Sequence, residues 1–392
     1  MIDVQAIRKQ TAGCHDKLFF NSAGASLVSD AVWQTAVDYL NAERTMGGYE
    51  TAAAHEGELA QFYTEAAQLL SCGVHNIAYT ASATDGYGKV LSSIDWQPHD
   101  VILTSEVDYV SNYLQFISLT QRYAVSIERI PSMPSGDLDI EAAASIISSR
   151  KPRLVAVTHI PTNSGLVQDV VAVGELCRKY GVSYLIDGCQ SLGQISVDMK
   201  QLHCDYYVAS GRKYMRGPRG VGLLYVSDAA LSTGNGPLTH DAHGSTWVTA
   251  DTYKINDNAS RYELFEHSPA LKLAFTQAIR DINTIGITDI EAYVANIADR
   301  LRGGLSQLDG VSILDHGTTL CGIVTFAVTS VSTESISRQL MAAGVSHSIS
   351  RRSSALIDFD RKGVQAAIRL SPHIFNTDSE VSKIVSIVQQ SL

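Results

Sequence analysis

Two residues stand where their types and spacing could do chemistry. Asp187 closes the apolar run in YLIDGCQS, and Lys213 lies one strand later, in VASGRKYMRGPRGVG, between an apolar segment and a glycine-rich turn. Burying an ammonium there is expensive unless the group is paired, deprotonated or covalently modified. An imine formed with an aldehyde removes that cost. A carbonyl cofactor needs an amine nucleophile, and a pyridine nitrogen that must stay protonated needs a carboxylate, so the two together are the pairing expected of pyridoxal phosphate (PLP). Taken singly, each has a plainer reading, a loop lysine and a turn former at a strand end. As a pair they are more informative.

The elements that must position this pair are legible from Asn76 to Tyr225, where short β-branched runs alternate with segments of helical period. That alternation marks a mostly parallel sheet with crossover helices. Strands are expected at 76–80, 100–104, 124–130, 153–160, 182–187, 205–210 and 220–226. Helices are expected over 84–94, along Val110, Leu114 and Ile117, along Ile140, Ala143 and Ile147, and along Val170, Val173, Cys177 and Tyr180, ending at Gly181. Asp187 then falls at the carboxyl end of a strand, where open parallel sheets bind ligands. Segment 228–260 is polar and aperiodic, which predicts a functional loop and an interdomain passage. Beyond it, Ile290, Val294, Ile297, Leu301, Leu305 and Leu308 form a helical stripe, 310–314 and 323–328 read as strands, and Thr377 with Glu380 makes a capping box for a last helix. The expected fold class is α/β, with helices on both faces of the sheet and a smaller C-terminal α+β domain. The expected domains are an N-terminal segment, 1–20, packing on the small domain, a large domain over 21–255 and a small domain over 256–392.

The 392 residues are 45% apolar and carry 40 acidic against 30 basic side chains, a formal charge of −10. No basic block offsets that charge, which argues against nucleic-acid or anionic-membrane partners. The opening MIDVQAIRKQ has no apolar core and no apolar stretch approaches a membrane span, so a cytoplasmic location is expected. Six cysteines without a CxxC pair speak against a disulfide framework and structural zinc. No HExxH or HxH pattern occurs among the twelve histidines, and His55-Glu56-Gly57-Glu58 reads as a solvated helix face, so no metal site is expected.

The order TASATDG, SEVDYVSN, THIPTNSG, YLIDGCQ, SGRKYMRGPRGVG and RLSPHIFNT resembles the class V aminotransferase family of fold-type I PLP enzymes, the group that holds cysteine desulfurases, selenocysteine lyase, isopenicillin epimerase and ergothioneine-type C–S lyases. The resemblance covers nearly the whole chain, and the DGxQ and SGxK segments are its most specific parts. It implies that Lys213 forms the Schiff base, that Asp187 pairs with the pyridinium and that Gln190 touches the phenolic oxygen. Ala83 and Thr84 at a helix N-terminus, with Ser210, would hold the phosphate, and helix N-termini favour anions. Tyr109 stands where the family has its ring-stacking histidine, and Arg212 where it has the histidine before the lysine. Asn163 resembles the asparagine near the cofactor oxygen or substrate carboxylate, and Arg369 the arginine that receives that carboxylate. Asn21 and Tyr49 match segments lining the substrate side. Gly244 to Thr246 resembles the segment that reaches the phosphate of a neighbouring subunit, which implies a homodimer with a shared active site.

The family's desulfurases place a sulfur-accepting cysteine shortly before the carboxylate arginine. The stretch HSISRRSSALIDFDRKGVQAAIR has Ser353 and Ser354 there, while Cys321 reads as structural. On this ground a persulfide-forming cysteine desulfurase is not expected. The expected activity is C–S cleavage of an amino acid by β-elimination. Replacement at Cβ or Cγ, transamination and epimerisation are the alternatives, and a non-catalytic binding protein of the same fold is the reading outside enzymes. Arg212, Arg216, Arg219, Arg351 and Arg352 either add positive charge around the site, which would suit a further carboxylate or phosphate on the substrate, or are solvated.

Overall fold

The computed structural model describes residues 2–392. Its centre is a seven-stranded sheet made of β1 (Ile77–Thr80), β2 (Val101–Ser105), β3 (Ser126–Ile130), β4 (Leu154–Thr158), β5 (Ser183–Asp187), β6 (Tyr206–Ser210) and β7 (Gly222–Val226), in the spatial order β1-β7-β6-β5-β4-β2-β3. Only β7 runs antiparallel to its neighbours. The near-continuous apolar runs have a simple cause. Along β4, Leu154 and Ala156 face one core and Val155 and Val157 the other, so both faces are covered by helices. The crossover helices include α1 (Ala83–Ser92), α2 (Val110–Tyr123), α3 (Ile140–Arg150) and α4 (Val170–Tyr180), the last closed by Gly181 at φ 65°.

The polar segment 228–260 is not a plain loop. It holds a short helix, Asp228–Ser232, and an antiparallel hairpin, Ser245–Thr249 with Thr252–Ile255, whose Trp247, Val248 and Tyr253 lie in solvent. Nor does the large unit end at 255. Helix α5 (Pro269–Ile285) buries Phe275, Ala278, Ile279 and Ile282 in the core of the central sheet. Helix α6 (Ile287–Ser306) then crosses between units, with Ile290 and Val294 in that core and Ile297, Leu301 and Leu305 in the second one. The stripe that suggested one small-domain helix therefore serves two cores.

The second core packs against a four-stranded antiparallel sheet, with strands Val311–Ile313, Val324–Val328, Ala366–Leu370 and Ser348–Arg351 in that spatial order, and against the last helix, Asp378–Gln390, opened by the Thr377–Glu380 capping box. The N-terminal segment joins this unit: Leu18–Phe19 pairs in parallel with Val345–Ser346, and Arg8 donates to Glu380 and to the Phe375 carbonyl. No helix of the described residues is long and apolar enough to cross a membrane.

Candidate active site

The carboxyl ends of β2, β4, β5 and β6 bring their side chains together in one place, the candidate cleft. Asp187 ends β5 and is 3% exposed. The next residue must be glycine, because a Cβ at Gly188 would lie 1.8 Å from Cζ of the Tyr207 ring. That close approach turns the chain so that the Cys189 amide donates to Asp187 Oδ1 at 3.0 Å. Asn112, on the first turn of α2, donates to Asp187 Oδ2 at 3.0 Å.

Lys213 follows β6 and is buried at 6% exposure, with no hydrogen-bonding partner among the described residues. Its ammonium lies 5.8 Å from the Tyr109 ring. Burial lowers its pKa, against the pull of the Cys189 and Asp187 charges, which favours the uncharged amine that a carbonyl requires. Ser210 Oγ accepts the Ala83 amide at 3.1 Å, which joins the end of β6 to the N-terminus of α1.

On the other wall, Arg369 is buried, and burial lowers its pKa to about 10, so it keeps its charge at neutral pH. It donates to the Thr162 carbonyl and hydroxyl at 2.7 and 2.8 Å, to Ser348 Oγ at 3.2 Å and to Asn21 Oδ1 at 3.5 Å. Gln190 Nε2 donates to the same Thr162 hydroxyl and to the Ala23 carbonyl. Gln190 Oε1 and Arg369 Nε are buried without partners. Orphaned groups of this kind, beside an unpaired lysine and a strand-end carboxylate, fit an aldehyde-bearing pyridine cofactor with polar substituents.

The structure brings Lys213, Asp187, Tyr109, Ser210, Ala83, Gln190, Arg369 and Asn21 together, while other residues lie elsewhere or are otherwise engaged. Asn163 donates to the buried Asp358 at 2.7 Å, and Arg212 to the Gly24 carbonyl. Thr84 is exposed on α1. Tyr49 is 78% exposed on the short helix Gly48–Ala54, and Thr246 lies on the exposed hairpin. Nor do the further arginines gather at the site. Arg216 is buried against Thr11 and the Leu27 carbonyl, while Arg351 pairs with Glu334 and Arg352 with Asp360.

The sequence reading missed Thr162, Ser348, Asn112 and Asp108. Asp108 accepts from Thr104, Thr158, Asn112 and the Tyr109 amide, and burial raises its pKa to about 6 despite these donors. The signal available was SEVDYVSN itself, where an acid and an amide spaced i, i+4 share one face at a helix start.

The fold and this cleft define a PLP-type enzyme of the α/β class. The family model for class-V aminotransferases matches residues 18–384, and the chain belongs to that family. A probable cysteine desulfurase of Pyrococcus abyssi is 25% identical over 98% of this chain and 96% of its own length. Among solved structures, the apo cysteine desulfurase of Thermococcus onnurineus superposes with a TM-score of 0.91 at 22% identity, covering 100% of this chain and 98% of that one. The cystine C–S lyase C-DES, solved in complex with its reaction product cysteine persulfide, superposes at 0.87 with 21% identity, covering 97% of this chain and 99% of that one. These relatives correct one expectation. Full-length matches bear the name cysteine desulfurase, so a missing cysteine between His347 and Arg369 does not exclude persulfide formation. The stretch folds as a strand, a turn at Arg352–Ser354 and helix α7 (Leu356–Lys362).

Proposed function

We propose that the protein binds PLP and cleaves the C–S bond of a sulfur-containing amino acid, with β-elimination as its reaction. The observation that carries the reading is the buried, unpaired Lys213 set between Asp187 and the Tyr109 ring, with the Arg369 guanidinium in the same cleft. The preference for sulfur draws on the relatives: a cystine C–S lyase and cysteine desulfurases share the fold over nearly the full length. Lys213 would hold the cofactor aldehyde, Asp187 its ring nitrogen, Gln190 its phenolic oxygen, and Ser210 with the N-terminus of α1 its phosphate. When bound, the cofactor supplies a sink for negative charge developing at the substrate Cα.

The chain's own groups do the rest. Arg369 presents a planar fork to the substrate carboxylate and fixes which Cα bond faces the lysine. Lys213 Nζ, free once the substrate amine has taken its place and its pKa lowered by burial, takes the Cα proton and delivers a proton to the departing sulfur. The buried walls keep water from the reacting carbon.

Gly244 to Thr246 we assign to an interface with a second copy, whose site this segment would complete. Trp247 at 79% exposure and Tyr253 at 59% on the same hairpin, with Leu238 and Phe265 nearby in the chain, leave an apolar surface that a partner would cover.

The test offers L-cysteine, L-cystine and S-substituted cysteines to the PLP-loaded protein. Pyruvate and ammonia in equal amounts are expected. Alanine with protein-bound sulfur would establish the second reading, desulfuration, which the relatives' names favour. Amino-group transfer with an intact C–S bond would overturn both.

A further inference from the structure

Behind Asp187 lies a buried polar cluster of which the proposed reaction uses Asp187 alone. It spans the carboxyl ends of three neighbouring strands: Thr104 on β2, Thr158 on β4 and Asp187 on β5. At its centre Asp108 receives four donors. Thr104 Oγ1 stands at 2.5 Å, Thr158 Oγ1 at 2.6 Å, the Tyr109 amide at 2.6 Å and Asn112 Nδ2 at 2.9 Å. The same Asn112 nitrogen donates to Asp187 Oδ2 at 3.0 Å, so one amide group bridges two carboxylates.

That bridge has only one workable orientation. Turned over, the amide would aim its carbonyl oxygen at two carboxylate oxygens, and all three accept without donating. Each N–H is committed to one carboxylate. With the Cys189 amide on Oδ1, both oxygens of Asp187 are then held. Tyr109 is the N-cap of α2 and its side chain makes no capping bond; the Asp108 carboxylate holds its amide instead, and its ring lies toward Lys213. One buried acid is thus connected to two groups in the proposed cofactor site.

We propose that Asp108 is a positioning residue: through Asn112 it fixes the carboxylate of Asp187, and through the backbone of Tyr109 it fixes the stacking ring, so that both meet the cofactor in one preset relation. This rests on the PLP reading above. Neither Asp108 nor Asn112 touches the reacting atoms in this scheme. What they supply is preorganisation, because a carboxylate free to rotate would hold a pyridinium less well than one held at both oxygens.

The test uses Asp108→Asn and Asn112→Leu, alone and together, beside the wild type. Asp108→Asn keeps the shape but replaces an acceptor oxygen with a donor, and Asn112→Leu cuts the bridge while leaving Asp108 on Tyr109. Two quantities are read: PLP affinity, by fluorescence titration of apoprotein, and the pH midpoint of the visible band of the lysine-bound cofactor. Each single variant is expected to bind PLP at least tenfold more weakly and to move the midpoint by half a unit or more. The double variant should shift the midpoint by clearly less than the sum of the two single shifts, since both changes interrupt the path through Asn112 and only Asp108→Asn also reaches Tyr109. A midpoint unmoved in both single variants, even with lowered thermal stability, would reduce the cluster to scaffolding and overturn the proposal. Fully additive midpoint shifts would overturn the shared path. If wild-type apoprotein takes up no PLP, the cofactor reading itself falls and this proposal with it.

Discussion

At the scale of single residues, the lysine and the arginine make separable demands. Lys213→Ala should abolish the visible cofactor band and all turnover, because the proposal gives that amine both the cofactor bond and the proton transfer; a borohydride-reducible adduct on another lysine would sink the assignment. Arg369→Lys keeps charge and loses the fork, so kcat/KM should fall by about 2–4 kcal/mol of transition-state binding while PLP affinity holds. Unchanged kcat/KM would show that the carboxylate is gripped elsewhere. The sequence exposed Lys213 and Asp187 because a cation and an anion at apolar strand ends are out of place by composition. Asp108 and Asn112 stayed hidden because their meaning is a bridge to Asp187 across 75 residues of chain, which no local spacing encodes.

At the scale of elements, the loop after β4 is held from the small domain. Gly165 donates to Asp315, which also accepts from Thr325 and pairs with the buried Arg302, and Arg302 in turn donates to the Cys321 and Ile323 carbonyls. Asp315→Ala takes one of two carboxylates from that guanidinium, which keeps Asp299, and should cost about 1.5–3 kcal/mol of stability, read as a lowered denaturation midpoint. Because Thr162 on this loop receives Arg369, KM should rise as well. A variant with native stability and native KM would show that the anchor is dispensable. The strands of the central sheet were legible because burial on both faces writes unbroken apolar runs. The hairpin at Ser245–Ile255 was not, since Trp247, Val248 and Tyr253 are apolar yet exposed and leave no alternation to read. Helix α5 went unread, and the expected small domain, 256–392, enclosed it, because a polar passage at 228–260 does not report which core the chain rejoins.

At the scale of the molecule, burial sets the response to acid. His159 and His373 are buried, which holds their pKa values down at about 4 and about 3, against 6.5 for a free imidazole. In the unfolded chain both take up protons below pH 6.5 and in the folded chain they do not, so stability declines as pH falls from there. Asp108 opposes them. Its pKa, raised from 3.8 to about 6 by burial, makes the folded state the better proton acceptor between those values. Among these three the two histidines outweigh the one acid, so together they favour unfolding as pH falls from 6 to 4. Urea midpoints of the apoprotein should drop from pH 7 to pH 5; midpoints that rise instead would show that the histidines are protonated in the folded protein. Assembly is the other molecular property. Trp247→Asp should yield monomers by sedimentation and lose activity, whereas a monomer with full turnover would dissolve the shared-site reading.

The antiparallel strand β7 also sets when the protein can become whole. Ile77 on β1 pairs only with Tyr225 on β7, so the sheet's first strand waits for its last. The site waits longer still, because Arg369 meets Asn21 across 348 residues and Arg8 meets Glu380 across 372. A chain emerging from the ribosome therefore carries an unpaired β1 edge from residue 80 until β7 is made at 222–226, and it cannot assemble the carboxylate grip until Arg369 has followed. Contacts this distant in sequence are slow to close and leave strand edges open to misassociation. For this fold, the carboxylate grip follows the closing of the central sheet rather than accompanying it.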